Sequence, residues 1–215
     1  MTMTSKFLNS FATTSPGFQF MYVILFFGII GMAITVERGI FIYVSSNIHA
    51  SRFMAKIKEL INKDNYDRAI ELCRSAGNRA LPLVVGAAIK EAKAGEFVDF
   101  RAVQNAVDEA TLEIIPRLNI RTGYLATIGN IATLTGLMGT IFGLILSFEA
   151  AGQAGGGAQA LAAGIGVAML TTLWGLVVAI PSLVFYTLIN TKANSIVDDI
   201  DEHSVKLVHL LTRGK

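Results

Sequence analysis

Between Arg121 and Lys192 the chain runs for 70 residues with one formally charged side chain, that of Glu149. The same run is rich in Thr, Ser and Gly. A hydrocarbon core excludes charge, whereas small and hydroxyl-bearing residues let helices pack closely and line a polar path within it. The pattern therefore indicates a membrane conductor or a part of one.

This run of 70 residues is long enough for two membrane crossings, because about 20 helical residues span a bilayer core of about 30 Å. A glycine-rich turn at residues 151–158 divides it and favours a tight reversal. We therefore predict transmembrane helices 2 and 3 at residues 123–150 and 159–190. Another apolar run predicts transmembrane helix 1 at residues 18–44. No basic region or small-residue cleavage site accompanies it, so we expect an uncleaved anchor.

Lys and Arg residues are distributed unequally among the connecting segments. Thirteen lie from Arg38 to Arg121 and four lie in the tail, whereas the N-terminal arm has one and the glycine-rich turn has none. By the positive-inside rule, residues 45–122 and 191–215 are predicted to be cytoplasmic, and residues 1–17 and 151–158 to face the opposite side. The expected fold class is an all-α membrane protein with three transmembrane helices, two of them extended into a helical cytoplasmic region.

Composition agrees with a membrane protein, since 53% of residues are hydrophobic and 16% are charged, against about a quarter charged in soluble domains. The net charge of +2 and the interleaving of acidic with basic residues argue against a nucleic-acid partner. Cys73 is the only cysteine. No internal disulfide is therefore possible, and we expect a buried thiol.

The segment between spans 1 and 2 has helical periodicity. Apolar residues at three- and four-residue steps predict amphipathic helices over 51–61 and 65–73. From Asp99 the pattern continues into span 2. We therefore expect one helix of about 50 residues ending at Glu149, about 75 Å long, with Pro116 as the candidate position of a kink.

Polar and small residues recur inside the predicted spans. Four polar residues of span 2, spaced by three, seven and seven, are expected on one helix face: Asn130, Thr133, Thr140 and Ser147. A second set is predicted to pack helices: Gly136, Gly139, Gly143, Gly175, Ala179 and Pro181. Either the hydroxyls only pack helices, or they line a cation path bordered by Thr140 and Thr172. A Thr hydroxyl does not ionise near neutral pH, so another group would have to carry a proton.

Two motifs add a resemblance. The runs 134–148 (LTGLMGTIFGLILSF) and 164–181 (GIGVAMLTTLWGLVVAIP) resemble the span-two and span-three signatures of the MotA/TolQ/ExbB proton-channel family. A single span before the cytoplasmic region resembles ExbB and TolQ more than MotA. The resemblance implies a bacterial inner-membrane homopentamer with a periplasmic N-terminus and a cytoplasmic C-terminus. It also implies a single-span partner of the ExbD/TolR type, whose membrane Asp carries the proton beside Thr140 and Thr172.

The function expected from this resemblance is a proton-channel or motor subunit that uses the proton motive force for work at the cell envelope. TonB-dependent transport, with a TonB-like protein as a further partner, is the first candidate. TolQ-like envelope maintenance, a gliding-type motor and a passive membrane scaffold remain alternatives. The expected ion is H⁺, with Na⁺ as an alternative, and membrane lipids surround the complex. No cofactor or bound metal is expected.

Other sequence features are less informative about function. Val167 stands where the family often has Glu, which puts in doubt any mechanism that needs an acid on span 3. Asp199 and His203 have the i, i+4 spacing of two metal ligands, but a solvated helix explains them as well. The chain has no phosphate loop, nucleophile elbow or Cys/His metal spacing, so an enzyme is not expected.

Replacement of Glu149 separates two roles for this carboxylate, an outer attractor for cations and a solvated interfacial group. We expect Glu149→Gln to leave proton flux through the reconstituted complex unchanged, because a carboxylate at the end of a span, beside a predicted turn, is expected to be solvated. A lowered flux at unchanged protein assembly would instead establish the attractor role. Thr172→Val, measured in parallel, shows that the assay responds to a change in the predicted path.

Overall fold

The computed structural model describes residues 18–46, 48–94, 98–152 and 157–213. Their regular structure is entirely helical. The helices are α1 (Phe18–Ile40), continued by a π-helical segment (Phe41–Ser46), then α2 (Ala50–Asn62), α3 (Tyr66–Ser75), α4 (Ala80–Ala94), α5 (Phe100–Asn119), α6 (Thr122–Gly152) and α7 (Ala158–Arg213). The expected all-α class with three long apolar helices is confirmed. The predicted N-terminal arm and residues 153–156 of the glycine-rich turn lie outside the described residues.

Three helical stretches in the described part are long and apolar enough to cross a membrane: Phe18–Val44, Phe100–Gly152 and Gly164–Thr212. Large apolar side chains remain exposed along them. Phe26 on α1 is 61% exposed, Leu134 on α6 is 64% exposed and Ile180 on α7 is 59% exposed. Continuous apolar surface of this kind contacts lipid or another protein, which is the behaviour expected of membrane-spanning helices.

The chain divides into two compact units. The apolar unit comprises residues up to 36 together with 121–187, and therefore holds most of α1, all of α6 and the first part of α7. The charged unit comprises residues 37–120 and 188 onward, and holds α2 to α5 and the last part of α7. Helix α7, 56 residues long, belongs to both.

In the apolar unit, small residues let α1 approach its neighbours. A Cβ atom built on Gly28 would lie 3.2 Å from a methyl group of Val178 on α7, and one on Gly31 would lie 3.3 Å from Ile128 on α6. Contacts this short leave little room for a larger side chain. Such close approach is the main source of helix association in lipid, where no hydrophobic driving force acts between helices.

In the charged unit, the predicted amphipathic helices are confirmed. Helix α2 buries the expected apolar face, including Phe53, Met54, Ile57 and Ile61, and α3 buries Ala69 and Cys73. Helix α4 supplies the centre of the core, since several of its residues are fully buried: Val84, Val85, Ala88 and Ile89. Each fully buried Val or Ile contributes about 1.5–3 kcal/mol relative to its exposed state.

The expected continuous helix from Asp99 to Glu149 is interrupted. Helix α5 passes through Pro116 and ends at Asn119. Ile120 then takes a non-helical ψ of 138°, and Arg121 has a left-handed φ of +63°. These two residues break the helical geometry because a left-handed residue turns the chain out of a right-handed helix. The predicted kink at Pro116 is therefore replaced by a break four residues further on.

Arg38 joins the end of α1 to the end of α5 within the charged unit. Its Nη1 donates to the carbonyl oxygen of Arg117 at 3.4 Å, one of the last four carbonyls of α5, which lack an intrahelical partner. Its Nη2 lies 3.4 Å from Glu37, and its guanidinium lies 5.1 Å from the centre of the Phe41 ring. This arginine is buried, with 5% of its surface exposed. Its guanidinium is nevertheless paired with a carboxylate, a carbonyl and an aromatic ring.

Cys73 gives a direct test of packing in the charged unit. Burial raises the pKa of its thiol to about 12, whereas an ordinary thiol with a pKa of about 8.5 is roughly a quarter ionised at pH 8. Because the thiolate is the reactive form, we expect maleimide labelling at pH 8 to be at least about 100-fold slower in the native protein than after unfolding. Mass spectrometry of both states measures the two rates, and equal rates would contradict the packing.

Candidate functional site

Three threonine hydroxyls meet two backbone carbonyls where α6 packs on α7. The Thr140 hydroxyl oxygen lies 3.2 Å from the carbonyl oxygen of Gly136, 3.1 Å from that of Ala168 and in hydrogen-bonding contact with the Thr172 hydroxyl. The Thr172 hydroxyl also lies 3.2 Å from the Gly136 carbonyl oxygen. Thr140 and Thr172, predicted from sequence to border one path, are therefore direct neighbours.

Thr171, which the sequence analysis did not select, completes this group. Its hydroxyl is buried, lies 2.7 Å from the Ala168 carbonyl oxygen and reaches the Gly136 carbonyl oxygen at 3.2 Å. We call the three hydroxyls of Thr140, Thr171 and Thr172, with the carbonyls of Gly136 and Ala168, the hydroxyl cluster. The available signal was the position of Thr171 three residues after Ala168 and four before Gly175, on the small-residue face of α7.

The hydroxyl cluster has more acceptors than it needs. Each hydroxyl has one proton and two lone pairs, and each Thr in the cluster has at least two oxygens within reach. The protons can therefore exchange acceptors without leaving a buried polar group unpaired, which would cost about 1–3 kcal/mol. Thr140 and Thr172 are only half-buried, so they can also turn toward a polar group outside this helix pair.

The four polar residues of span 2 do not share one environment. Asn130 and Thr133 are exposed, Thr140 is half-buried and Ser147 is buried, with its hydroxyl donating to the Gly143 carbonyl at 2.6 Å. The three-residue step from Asn130 to Thr133 falls about 60° short of a helical turn, and each seven-residue step falls about 20° short of two turns. Ser147 is therefore rotated by about 100° around the α6 axis from Asn130. These four residues therefore run from the exposed surface of α6 to its contact with α7, and Thr140 lies at the edge of that contact.

Glycines bring the two backbones together around the hydroxyl cluster. A Cβ atom built on Gly175 would lie 2.6 Å from the Ala132 carbonyl oxygen, and one on Gly143 would lie 2.8 Å from the Ala168 Cβ. A Cβ atom built on Gly136 would lie 3.0 Å from the Thr171 carbonyl oxygen, and one on Gly139 would lie 2.8 Å from the Thr171 hydroxyl oxygen. Gly164, which the sequence pattern did not indicate, makes a similar close contact, since an added Cβ would lie 2.8 Å from the Ser147 Cβ.

The remaining candidates lie elsewhere. Ala179 is buried at the α6 side of α7 beside Gly129, whereas Pro181 is exposed. Glu149 is exposed near the end of α6, and Val167 is half-buried. Asp199 and His203 are half-buried on the last part of α7. Among the residues described, no group of three or more His, Cys, Asp or Glu side chains could hold a metal ion.

The long apolar helices and the hydroxyl-rich contact between two of them define a multi-pass membrane protein with a polar site in its spans. The sequence model for the MotA/TolQ/ExbB proton channel family matches residues 78–202. This match covers more than half of the chain and includes every residue of the hydroxyl cluster. The chain belongs to the MotA/TolQ/ExbB proton channel family, as its motifs predicted.

Individual relatives extend the likeness to most of the chain. A protein of Methanothermobacter thermautotrophicus described as an ExbB homolog is 28% identical over 90% of this chain and 69% of its own length. The Tol-Pal system protein TolQ of Haemophilus influenzae is 31% identical over 54% of this chain and 52% of its own. Biopolymer transport protein ExbB of Salmonella typhimurium is 37% identical over 42% of this chain and 38% of its own.

The fold is also similar to a solved structure, that of C. jejuni MotAB. The likeness covers 89% of this chain and 75% of the other, with a TM-score of 0.66 and 16% sequence identity. At that identity the similarity concerns the fold. It agrees with the all-α architecture and the three long apolar helices described above.

Two glycines of α7 provide a matched test of the close contact. We expect Gly175→Ala to destabilise the apolar unit by about 1–3 kcal/mol, the usual cost of an overpacked interior, because the rigid Ala132 carbonyl occupies the position of the new methyl group. Gly166→Ala is the control, since nothing lies within 4 Å of a Cβ built there. Denaturation of the detergent-solubilised protein, followed by circular dichroism, compares them, and equal stability of the two variants would contradict the contact.

Proposed function

We propose that this chain is the channel-forming subunit of an ion-driven motor in a bacterial inner membrane, with H⁺ as the transported ion. In this proposal the hydroxyl cluster forms the wall of the ion path, continued by Asn130 and Thr133 on α6, while Ser147, also predicted to line the path, is buried in the contact with α7. The observation that carries the proposal is the half-exposure of Thr140 and Thr172 at the edge of the α6–α7 contact. Hydroxyls that served helix packing alone would not need to keep an open side.

The proton carrier is proposed to come from another chain. The hydroxyls cannot ionise near neutral pH, and the run from Arg121 to Lys192 offers one carboxylate, Glu149, which is exposed near the end of α6. An ionisable group in the middle of a membrane costs about 3 kcal/mol or more and occurs where it has a function. A single-span partner of the ExbD/TolR type, with an Asp in its membrane helix, would supply that group beside Thr140 and Thr172.

Several open hydroxyls are useful around such an Asp because they can stabilise both of its protonation states. Toward the carboxylate, a Thr hydroxyl donates a hydrogen bond; toward the protonated acid, the same oxygen accepts one. The exchangeable acceptors of the cluster allow this reversal without an unpaired buried group. The proposed wall therefore lowers the cost of moving a proton on and off the partner's acid.

The assembly and output are proposed from the family. We infer a homopentamer around the partner's membrane helices, with the N-terminus periplasmic and the C-terminus cytoplasmic, as the Lys and Arg distribution favours. One charge crossing 100 mV releases about 2.3 kcal/mol, so a few protons can drive a conformational step. Similarity to both ExbB and TolQ supports two candidate processes that the motor could drive, TonB-dependent transport and TolQ-like envelope maintenance. A gliding-type motor is a further candidate.

A passive membrane scaffold is the second candidate function. The glycine contacts between α6 and α7 favour it, because they show that this interface is built for close packing whatever else it does. A scaffold would need the glycines but not the hydroxyls. The two functions therefore differ in their response to isosteric removal of the hydroxyl groups.

Valine substitutions test the proposed path. We expect Thr140→Val and Thr172→Val to lower proton flux through the complex, reconstituted with its single-span partner in vesicles, by about tenfold or more. The reason is that one lost hydrogen bond to an ionised group costs about 1.5–3 kcal/mol, and 1.4 kcal/mol is a factor of ten. Thr172→Ser, which keeps the hydroxyl, should retain most of the flux.

Thr187→Val is the matched control for these variants. Thr187 also lies on α7 and its hydroxyl also donates to a backbone carbonyl four residues earlier, that of Leu183 at 2.9 Å, but it is exposed and outside the hydroxyl cluster. Size-exclusion chromatography of every variant establishes whether the complex still assembles. Normal flux in both valine variants, with normal assembly, would reject the ion path and favour the scaffold.

A further inference from the structure

A basic groove lies in the charged unit where the N-terminal half of α2 faces the end of α3. It has a volume of about 380 Å³, and its charged side chains are those of Arg52, Lys56 and Arg79, with His49 at the same site. No Asp or Glu lines it. We call this site the basic groove.

The three permanent cations of the groove have no carboxylate partner in the described part of the chain. Neighbouring basic residues do have such partners, since Lys63 pairs with Glu59 at 2.6 Å and Lys93 pairs with Asp67. Arg52 and Lys56 are exposed, whereas Arg79 is half-buried. The groove therefore concentrates like charges that repel one another unless an anion lies between them.

Two features of the chain partly offset this charge but do not balance it. The carbonyl end of α3 borders the groove at Ser75 and Ala76, and a helix C-terminus is equivalent to about half a negative charge. Lys56 also borders an adjoining groove that contains Glu59 and Glu71, and Glu59 is already bound to Lys63, which lowers the pKa of its carboxyl group. A substantial positive charge therefore remains in the basic groove.

The groove follows the first candidate span closely along the chain. The first candidate span ends at Val44, and His49 follows five residues later, so even a fully extended chain holds it within about 18 Å of the end of that span. Ile48, Phe53 and Leu72 give the groove an apolar side. An anion with an apolar attachment, delivered from the plane of the membrane, matches both the charge and the lining.

We propose that the basic groove binds the phosphate headgroup of an anionic phospholipid, with Arg52, Lys56 and Arg79 contacting the phosphate oxygens. The guanidinium groups suit this role because they donate two parallel hydrogen bonds to a phosphate. The bound lipid fixes the start of α2 at the bilayer surface and relieves the repulsion among the three cations. This binding does not depend on ion conduction by the hydroxyl cluster.

Lipid titration of the purified full-length protein in neutral detergent tests the proposal by native mass spectrometry. We expect phosphatidylglycerol to bind more tightly than phosphatidylcholine with the same acyl chains. Arg52→Gln with Lys56→Gln should lower phosphatidylglycerol affinity about thirtyfold, as two lost cations near an anionic lipid predict. These two side chains are exposed, so the fold should survive. Adding Arg79→Gln should lower the affinity further.

The control removes equal charge elsewhere in the charged unit. Lys90→Gln with Arg101→Gln alters two exposed basic residues on α4 and α5 that do not line the groove, and phosphatidylglycerol affinity should change less than about threefold. An equal loss in both double variants would overturn a specific site, because it would show a response to net charge alone.

Two competitors decide the source of the anion. Inorganic phosphate at equal concentration should displace little phosphatidylglycerol; complete displacement would overturn the lipid and indicate a site for a free anion. A poly-glutamate peptide tests for an acidic protein partner. If the wild type binds this peptide more tightly than it binds phosphatidylglycerol, and the Arg52/Lys56 variant does not bind the peptide, the lipid proposal is overturned in favour of such a partner. Unchanged phosphatidylglycerol binding in the Arg52/Lys56 double variant would overturn the lipid proposal.

Discussion

The close backbone contact between α6 and α7 is the constraint on which the rest of the membrane site depends. A Cβ atom on Gly175 would lie 2.6 Å from the Ala132 carbonyl oxygen, so the two helices can meet there only because the residue is glycine. That separation brings the hydroxyls of Thr171 and Thr172, on α7, within 3.2 Å of the Gly136 carbonyl oxygen on α6. The polar cluster is a consequence of small residues around it, since larger ones would hold the hydroxyls out of reach.

The same contact combines helix packing with the proposed ion path on one helix pair. Thr171 is buried and serves the contact itself, whereas Thr140 and Thr172 lie at its edge and remain half-exposed. The angular offsets of these residues, about 60° over the first three-residue step and about 20° over each seven-residue step, explain the change along α6 from exposed Asn130 to buried Ser147. A single helix can therefore present polar groups to a path at one level and to a packed interface at another. The membership of the chain in a proton channel family agrees with this combination.

Much of the fold followed from periodicity and charge. The apolar runs, the amphipathic pattern of α2 and α3 and the glycine-rich turn predicted an all-α membrane protein, because a bilayer requires helices of set length and excludes charge. The break at Ile120 and Arg121 was not predicted. Neither residue is a usual helix terminator, and the left-handed conformation of Arg121 is a backbone state that side-chain identity did not indicate. Proline, the visible breaker four residues earlier, is accommodated inside α5.

The sequence by itself determined the class of protein and the presence of three long apolar helices, and it singled out Thr140 and Thr172, because helix length, charge exclusion and motif spacing are local properties. The tertiary structure alone decided which oxygens those hydroxyls reach, that Thr171 joins them, and that Arg52, Lys56 and Arg79 share one groove. The physical reason is that hydrogen bonds act over about 3 Å and charge repulsion is largely screened beyond about 10 Å. Residues as far apart as Gly136 and Thr172, or Arg52 and Arg79, become neighbours only after the helices have packed.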